Sequence, residues 1–196
     1  TIATMALVMR WLLALPIAAV TFAAAPVLVG IVAGAEFLPH GSIALQIVIW
    51  SIPIGWLNSV TNYVLISLGL ERLQPRAFAI AVGFNIGANI LFIPRFGYVA
   101  AGVTTILSEL VLFVLFAYYL RRRMSGVRWG WLLKRPFIAA TLMLIAIFLG
   151  GQIHLLVGLV LGTAVYVGSL FALRIIGDEE REILMQILPA RVGERL

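Results

Sequence analysis

The chain has 196 residues, 63% of them hydrophobic and only 11% charged, with a formal net charge of +6 and no cysteine. A soluble domain carries about 25% charged residues, so too little polar surface remains to face water, and the chain is far too apolar for disorder. The absence of cysteine excludes a disulfide framework and a thiolate metal site.

What remains is an all-α, polytopic membrane protein. The chain opens on Thr1, and no charged, apolar and cleavable run resembles a signal peptide. The expectation is a portion of a longer protein.

The charge-free stretches give the spans in order. The first, 11–35, lies between Arg10 and Glu36. The second, 37–70, reads as one long helix, about 42–69, after a turn at Leu38-Pro39-His40-Gly41. Pro53 should kink it, because proline removes a backbone donor and crowds the preceding turn. The third is 77–94, and the fourth is 96–120, whose single charge is Glu109. The stretch 136–173 would be roughly 57 Å as one helix, against about 30 Å of hydrocarbon. It therefore divides into two spans, with the break at Gly150-Gly151-Gln152 beside His154.

Six transmembrane helices put both termini on one side. That side then holds thirteen of the fourteen basic residues, and the other holds only Arg95. This asymmetry makes both termini cytoplasmic and the protein a multi-pass protein of the cell (inner) membrane. Splitting 37–70 into two spans would move Arg121, Arg122 and Arg123 outside and destroy the bias. Trp11, Tyr118, Tyr119, Trp129 and Trp131 fall near the cytoplasmic boundary, where amphipathic rings prefer to sit.

The organisation is then four helices in 1–125, two more in 126–176 and a cytoplasmic tail in 177–196. Early acids and spaced apolar residues suit the tail to a helix lying on the inner surface, or else it is loosely ordered.

Polar groups inside spans mark where chemistry is placed at a cost. Glu109 is the only formal charge deep in a span. An acid there costs about 2.5–3.5 kcal/mol on insertion scales. It shares a helix face with Ala101, Gly102, Thr105 and Ser108, so it should face protein or a wet cavity. Either a proton-linked switch or a group that holds helices together would use such an acid. Asn58 with Asn62, and Asn85 with Asn89, are four apart and so share a face on their helices. Both ladders should face other helices, as interhelical bonds or as substrate contacts. Trp56 lies mid-span beside Asn58 and fits no aromatic belt. Gly158 and Gly162, and likewise Gly83 and Gly87, have the spacing that permits close helix contact.

Catalytic constellations are absent. His40 and His154 fall at outer loops, the only lysine is Lys134, and no phosphate loop, H-E-x-x-H or carboxylate pair occurs. The expectation is no enzyme, no cofactor and no metal site. Nucleic-acid binding is not expected either, because topology accounts for the basic residues.

The stretch from Trp50 to Arg123 carries a pattern. Ser67-Leu68-Gly69-Leu70-Glu71-Arg72 ends one helix. An asparagine helix, Phe84-Asn85-Ile86-Gly87-Ala88-Asn89, then runs into Ile93-Pro94-Arg95-Phe96-Gly97. A small-residue helix follows from Ala100-Ala101-Gly102. This resembles the C-terminal half of polysaccharide and lipid-linked oligosaccharide flippases, in the multidrug/oligosaccharidyl-lipid/polysaccharide exporter superfamily. Leu15-Pro16 and Gly34-Ala35-Glu36-Phe37 are similar to the family's upstream helix. The likeness covers about residues 10–125.

The resemblance implies the last six spans of a two-lobed transporter, so the other partner would be the N-terminal lobe of the same protein. It implies a lipid-linked glycan on a polyprenyl phosphate as substrate, moved outward across the membrane lipid by alternating access. It also implies that 137–173 could line a groove for the lipid tail. Asn58, Asn62, Trp56, Asn85, Asn89 and Glu109 would wall the sugar path, with Arg95 at the outer mouth, either for the phosphate or as an anchor of the turn. The same fold could instead carry a drug or small solute with a coupled cation. A non-transporting scaffold for envelope enzymes is the third alternative.

Overall fold

The computed structural model describes residues 2–123 and 129–173, with side chains described over 11–123 and 134–173. The tail expected at 177–196 lies outside these residues. Six α-helices and two 3-10 turns make up the described chain, with no strand among the described residues. The chain divides into two compact units, 1–133 and 134–196. Five helical stretches, Trp11–Val32, His40–Ser67, Glu71–Arg123, Lys134–Gly151 and Leu155–Ala172, are long and apolar enough to cross a membrane.

In the first unit α1 (Ile2–Val32) runs through Pro16 and Pro26 and ends in a 3-10 turn at Ala35–Phe37. The helix expected over 42–69 is instead two helices, α2 (His40–Val48) and α3 (Ser51–Ser67). They part at Ile49 and Trp50. Pro53 supplies the reason: it has no N–H for the Ile49 carbonyl, and its ring crowds that carbonyl four residues back. Both lie against α1. Gln46 Nε2 donates to the Phe22 carbonyl at 3.2 Å, and the Phe22 and Trp50 rings meet at 5.9 Å.

After a 3-10 turn at Glu71–Leu73, α4 spans Gln74–Arg123. Its 50 residues would reach about 75 Å if straight. It is not straight: Gly97 has φ 58° and ψ −142°, outside the helical region. Side chains on either side of that point meet in pairs centred on it. Asn85 bonds Ser108, Thr104 bonds Asn89, and Phe78 stands edge-on to Phe116 at 5.8 Å. The two halves, 74–96 and 98–123, are therefore an antiparallel helical hairpin. Pro94, without an N–H, loosens the last turn before the bend, and only glycine adopts the Gly97 conformation without strain.

The hairpin closes on α3 through a core of Leu65, Ala77, Ala81, Leu112, Phe116 and Leu120. Alanine on the incoming half lets the phenylalanine and leucines of the returning half sit close. The outward faces are bare hydrocarbon: Ile90 is 72% and Val114 62% exposed. Such surface would be an aggregation hazard in water, whereas in a bilayer acyl chains cover it. Gly83 and Gly87 have nothing within 4 Å of where a Cβ would stand. The close contact expected of them is not made among the described residues, because that helix face is open.

The second unit is a pair of helices, α5 (Trp129–Gly151) and α6 (Leu155–Ala172). The break falls at Gln152 and Ile153. The His154 side chain caps α6 by accepting from the Leu156 N–H at 3.2 Å. Gly158 and Gly162 do make the expected contact. A Cβ on Gly158 would come within 2.5 Å of the Ile147 carbonyl, and one on Gly162 would overlap the Ile147 side chain. At the far end Arg135 Nη1 donates to the Leu173 carbonyl at 3.0 Å, satisfying a helix-terminal acceptor.

Three stability outcomes follow for the protein in detergent or nanodiscs. Gly97→Ala forces a side chain into a glycine-only conformation and should cost about 1–3 kcal/mol. Gly158→Ala should lower the thermal midpoint, overpacking costing about 1–3 kcal/mol. Gly168→Ala, with nothing within 4 Å, should leave the midpoint unchanged or raise it.

Candidate functional site

The returning half of α4 presents two polar seams, one on each neighbour. Glu109 faces α3. The single amide nitrogen of Asn58 donates to Glu109 Oε2 at 2.7 Å and to the Glu109 backbone carbonyl at 2.9 Å. Asn58 is almost fully buried, at 4% exposure, while Glu109 is half-buried. Gly55, one turn before Asn58, leaves the flank of the carboxyl group free of a side chain; a Cβ there would stand 3.6–3.9 Å from it. Among the described side chains no lysine, arginine or histidine bonds Glu109. A neutral amide thus holds the acid, as an interior favours when no counter-ion is at hand. Hydrogen bonds to charged groups are worth about 1.5–3 kcal/mol, comparable with the insertion cost of the acid.

The second seam joins the two halves of the hairpin. Asn85 Nδ2 donates to Ser108 Oγ at 2.8 Å, and Asn89 Nδ2 donates to Asn85 Oδ1 at 2.9 Å. Thr104 Oγ1 donates to Asn89 Oδ1, while Ser108 Oγ donates to the Thr104 carbonyl at 2.6 Å. Hydroxyls on one strand of the hairpin alternate with amides on the other. The face expected to carry Ala101, Gly102, Thr105, Ser108 and Glu109 together is therefore shared among three neighbours. Ser108 turns to the asparagine helix, while Gly102 packs on Ile47 of α2 and Glu109 on α3.

The structure brings Glu109 to Asn58, and Asn85 to Asn89. It does not bring the remaining candidates to either pair. Asn62, a turn beyond Asn58, is half-buried, and its Oδ1 is sealed from solvent without a hydrogen-bond partner. Asn58 Oδ1 is in the same state, as is Trp11 Nε1 on α1. Trp56 is half-buried on α3, and Arg95 is exposed in the hairpin turn. Near that turn His40 Nδ1 and Tyr98 Oη lie 3.0 Å apart, tying the start of α2 to the start of the returning helix.

The roles of Gly55 and of the unpartnered Trp11 could not be read in the sequence. The one signal for Gly55 was a glycine inside a helix three residues before an asparagine. An open groove of about 330 Å³ beside the hairpin, lined by Phe92, Phe96, Val99, Val103 and Leu107 among others, offers a sugar no hydrogen bond. No group of three His, Cys, Asp or Glu side chains that could hold a metal ion occurs among the described residues.

A search against known protein families finds no match, and no solved structure matches the chain. An uncharacterised membrane protein of Methanocaldococcus jannaschii is 27% identical over 79 residues, which is 40% of this chain. This is a multi-pass membrane protein. The matched stretch spans 16% of that relative's length.

The two asparagines of α3 predict different costs. Asn58→Ala removes both donors from Glu109 and should lower stability by about 1–3 kcal/mol. Asn62→Ala deletes an amide with an unpartnered oxygen and should cost clearly less. Thermal unfolding of the two variants in the same detergent checks the order.

Proposed function

We propose that the chain is the C-terminal part of a flippase that moves lipid-linked oligosaccharide or polysaccharide precursors across the cytoplasmic membrane by alternating access. The observation that carries this reading is the helical hairpin that turns at Pro94-Arg95-Phe96-Gly97, with asparagines on one half and a half-buried acid on the other. A lipid-linked glycan needs hydrogen-bonding walls within the membrane, and this unit concentrates its amides and its acid there.

In this reading the protein crosses the inner membrane six times with both termini cytoplasmic. Each half of α4 makes one crossing, and α2 with α3 makes another. The basic ends of the first unit support this orientation. Arg72, Arg76 and Arg121–Arg123 lie at the end of the hairpin opposite Gly97, and Arg122 caps the Tyr118 ring at 4.6 Å.

The polar seams lie between helices, so a change in helix packing would expose or hide them together. That is the property alternating access requires. The phosphate of the substrate would meet Arg95 at the outer mouth, and the remaining walls would come from an N-terminal lobe.

The experiment is glycan export in cells that depend on the full-length protein. Glu109→Gln should slow or abolish export at unchanged expression. Normal export would remove Glu109 from the transport cycle. Glycan flipping by the purified full-length protein in liposomes separates a transporter from a scaffold.

A further inference from the structure

The open groove beside the hairpin has a length, a wall and a neighbouring charge that together describe one occupant. Phe92 and Phe96 line it near the turn, and Val99, Val103 and Leu107 line it along the returning half of α4. From Val99 to Leu107 a helix rises about 12 Å. One leaflet of a hydrocarbon core about 30 Å thick has nearly that depth. Thr104 also borders the groove, but its hydroxyl is turned away, donating to Asn89 and to the Ala101 carbonyl. The wall therefore offers hydrocarbon alone, over about 330 Å³.

Arg95 stands at the Gly97 end of this groove, next in sequence to Phe96. It is exposed, and among the described residues no acid pairs with it. An arginine beside a bilayer lays its apolar stem along hydrocarbon and keeps its charged head at the surface. There its planar fork can take two phosphate oxygens at once. His40 and Tyr98, at the same end, are already bonded to each other.

We propose that this groove binds an anionic glycerophospholipid, with one acyl chain along Phe96, Val103 and Leu107 and the phosphate on Arg95. A chain that leaves the bilayer for the groove gains no transfer energy, because lipid is as apolar as the wall. Close packing along the groove and the charge at its end hold it, so chain and headgroup both have to fit. A net negative headgroup suits one unpaired arginine, whereas a choline headgroup brings a second positive charge beside it. The inference rests on the membrane setting of the first unit and does not depend on the cargo. The export reading also puts a phosphate on Arg95, and the two are separable because lipid binding is measured with no glycan present.

The test is lipid binding by the purified full-length protein, delipidated in detergent and titrated with phosphatidylglycerol. Native mass spectrometry counts the lipids on each protein molecule. The expected result is one phosphatidylglycerol that binds ahead of any others, and weaker binding of phosphatidylcholine. Arg95→Gln should weaken this first site about fivefold, the usual worth of one arginine toward anionic lipid. Val103→Trp fills the groove from an exposed position and should abolish the first site at an unchanged thermal midpoint. Ile90→Trp makes the same change on the outward face of the incoming half and should leave binding as it is.

Absence of a preferred first lipid on folded wild-type protein overturns the proposal. So does binding that survives unchanged in Arg95→Gln or in Val103→Trp, or that phosphatidylcholine matches. Equal loss in Ile90→Trp would reduce the site to a general lipid coat and overturns it as well. A groove that takes a polyprenyl phosphate and refuses phosphatidylglycerol, or one covered by a second copy in a lipid-free dimer that Val103→Trp dissociates, has another occupant and overturns it too. Failure here leaves the export reading standing, since export is measured separately in cells.

Discussion

A polar side chain within hydrocarbon has no water to fall back on, and the first unit is arranged around that constraint. Each of its polar groups must be met by another helix or by its own backbone. Thr61 donates to Leu57, Thr105 to Ala101 and Ser108 to Thr104, each within its own helix. The asparagines have more groups than one helix can satisfy, so they reach across. Asn85 and Asn89 tie one half of α4 to the other, and Asn58 ties α3 to Glu109. These bonds select which helix faces meet, because apolar packing alone discriminates weakly when lipid is as apolar as the helices.

Glycine carries the complementary task of letting helices turn or approach. Gly97 turns α4 back on itself, in a conformation a side chain would oppose. Gly158 and Gly162 bring α6 onto α5 until backbone touches side chain. Gly55 keeps the flank of Glu109 open. By contrast, Gly83 and Gly87 have the same spacing as the α6 pair and face open space. Spacing permits contact, but a partner helix has to arrive on that face.

The spans and their breaks were legible because they follow from local rules. Charge-free length marks a crossing, proline removes a donor, and paired glycines end a helix. The break between α5 and α6 falls at Gln152 and Ile153, just past the glycine pair, which stays helical. The break between α2 and α3 comes earlier than a smooth kink at Pro53 would put it, since the lost bond lies four residues back at Ile49. The sharing of one face of α4 among three neighbours was not legible. Helical periodicity says which residues lie together, and says nothing about how many helices that face will meet.

The sequence by itself determined a membrane protein built of helices, the stretches long and apolar enough to cross a membrane, and the scarcity that singles out Glu109. Those properties are one-dimensional: they depend on hydropathy, charge and the chemistry of single residues. Only the tertiary structure decided that Glu109 meets Asn58 and not Asn62, that Ser108 belongs to the asparagine seam, and that two amide oxygens are left buried without donors. Those outcomes depend on the relative rotation of packed helices, and burial of a polar atom is a property of the neighbours around it.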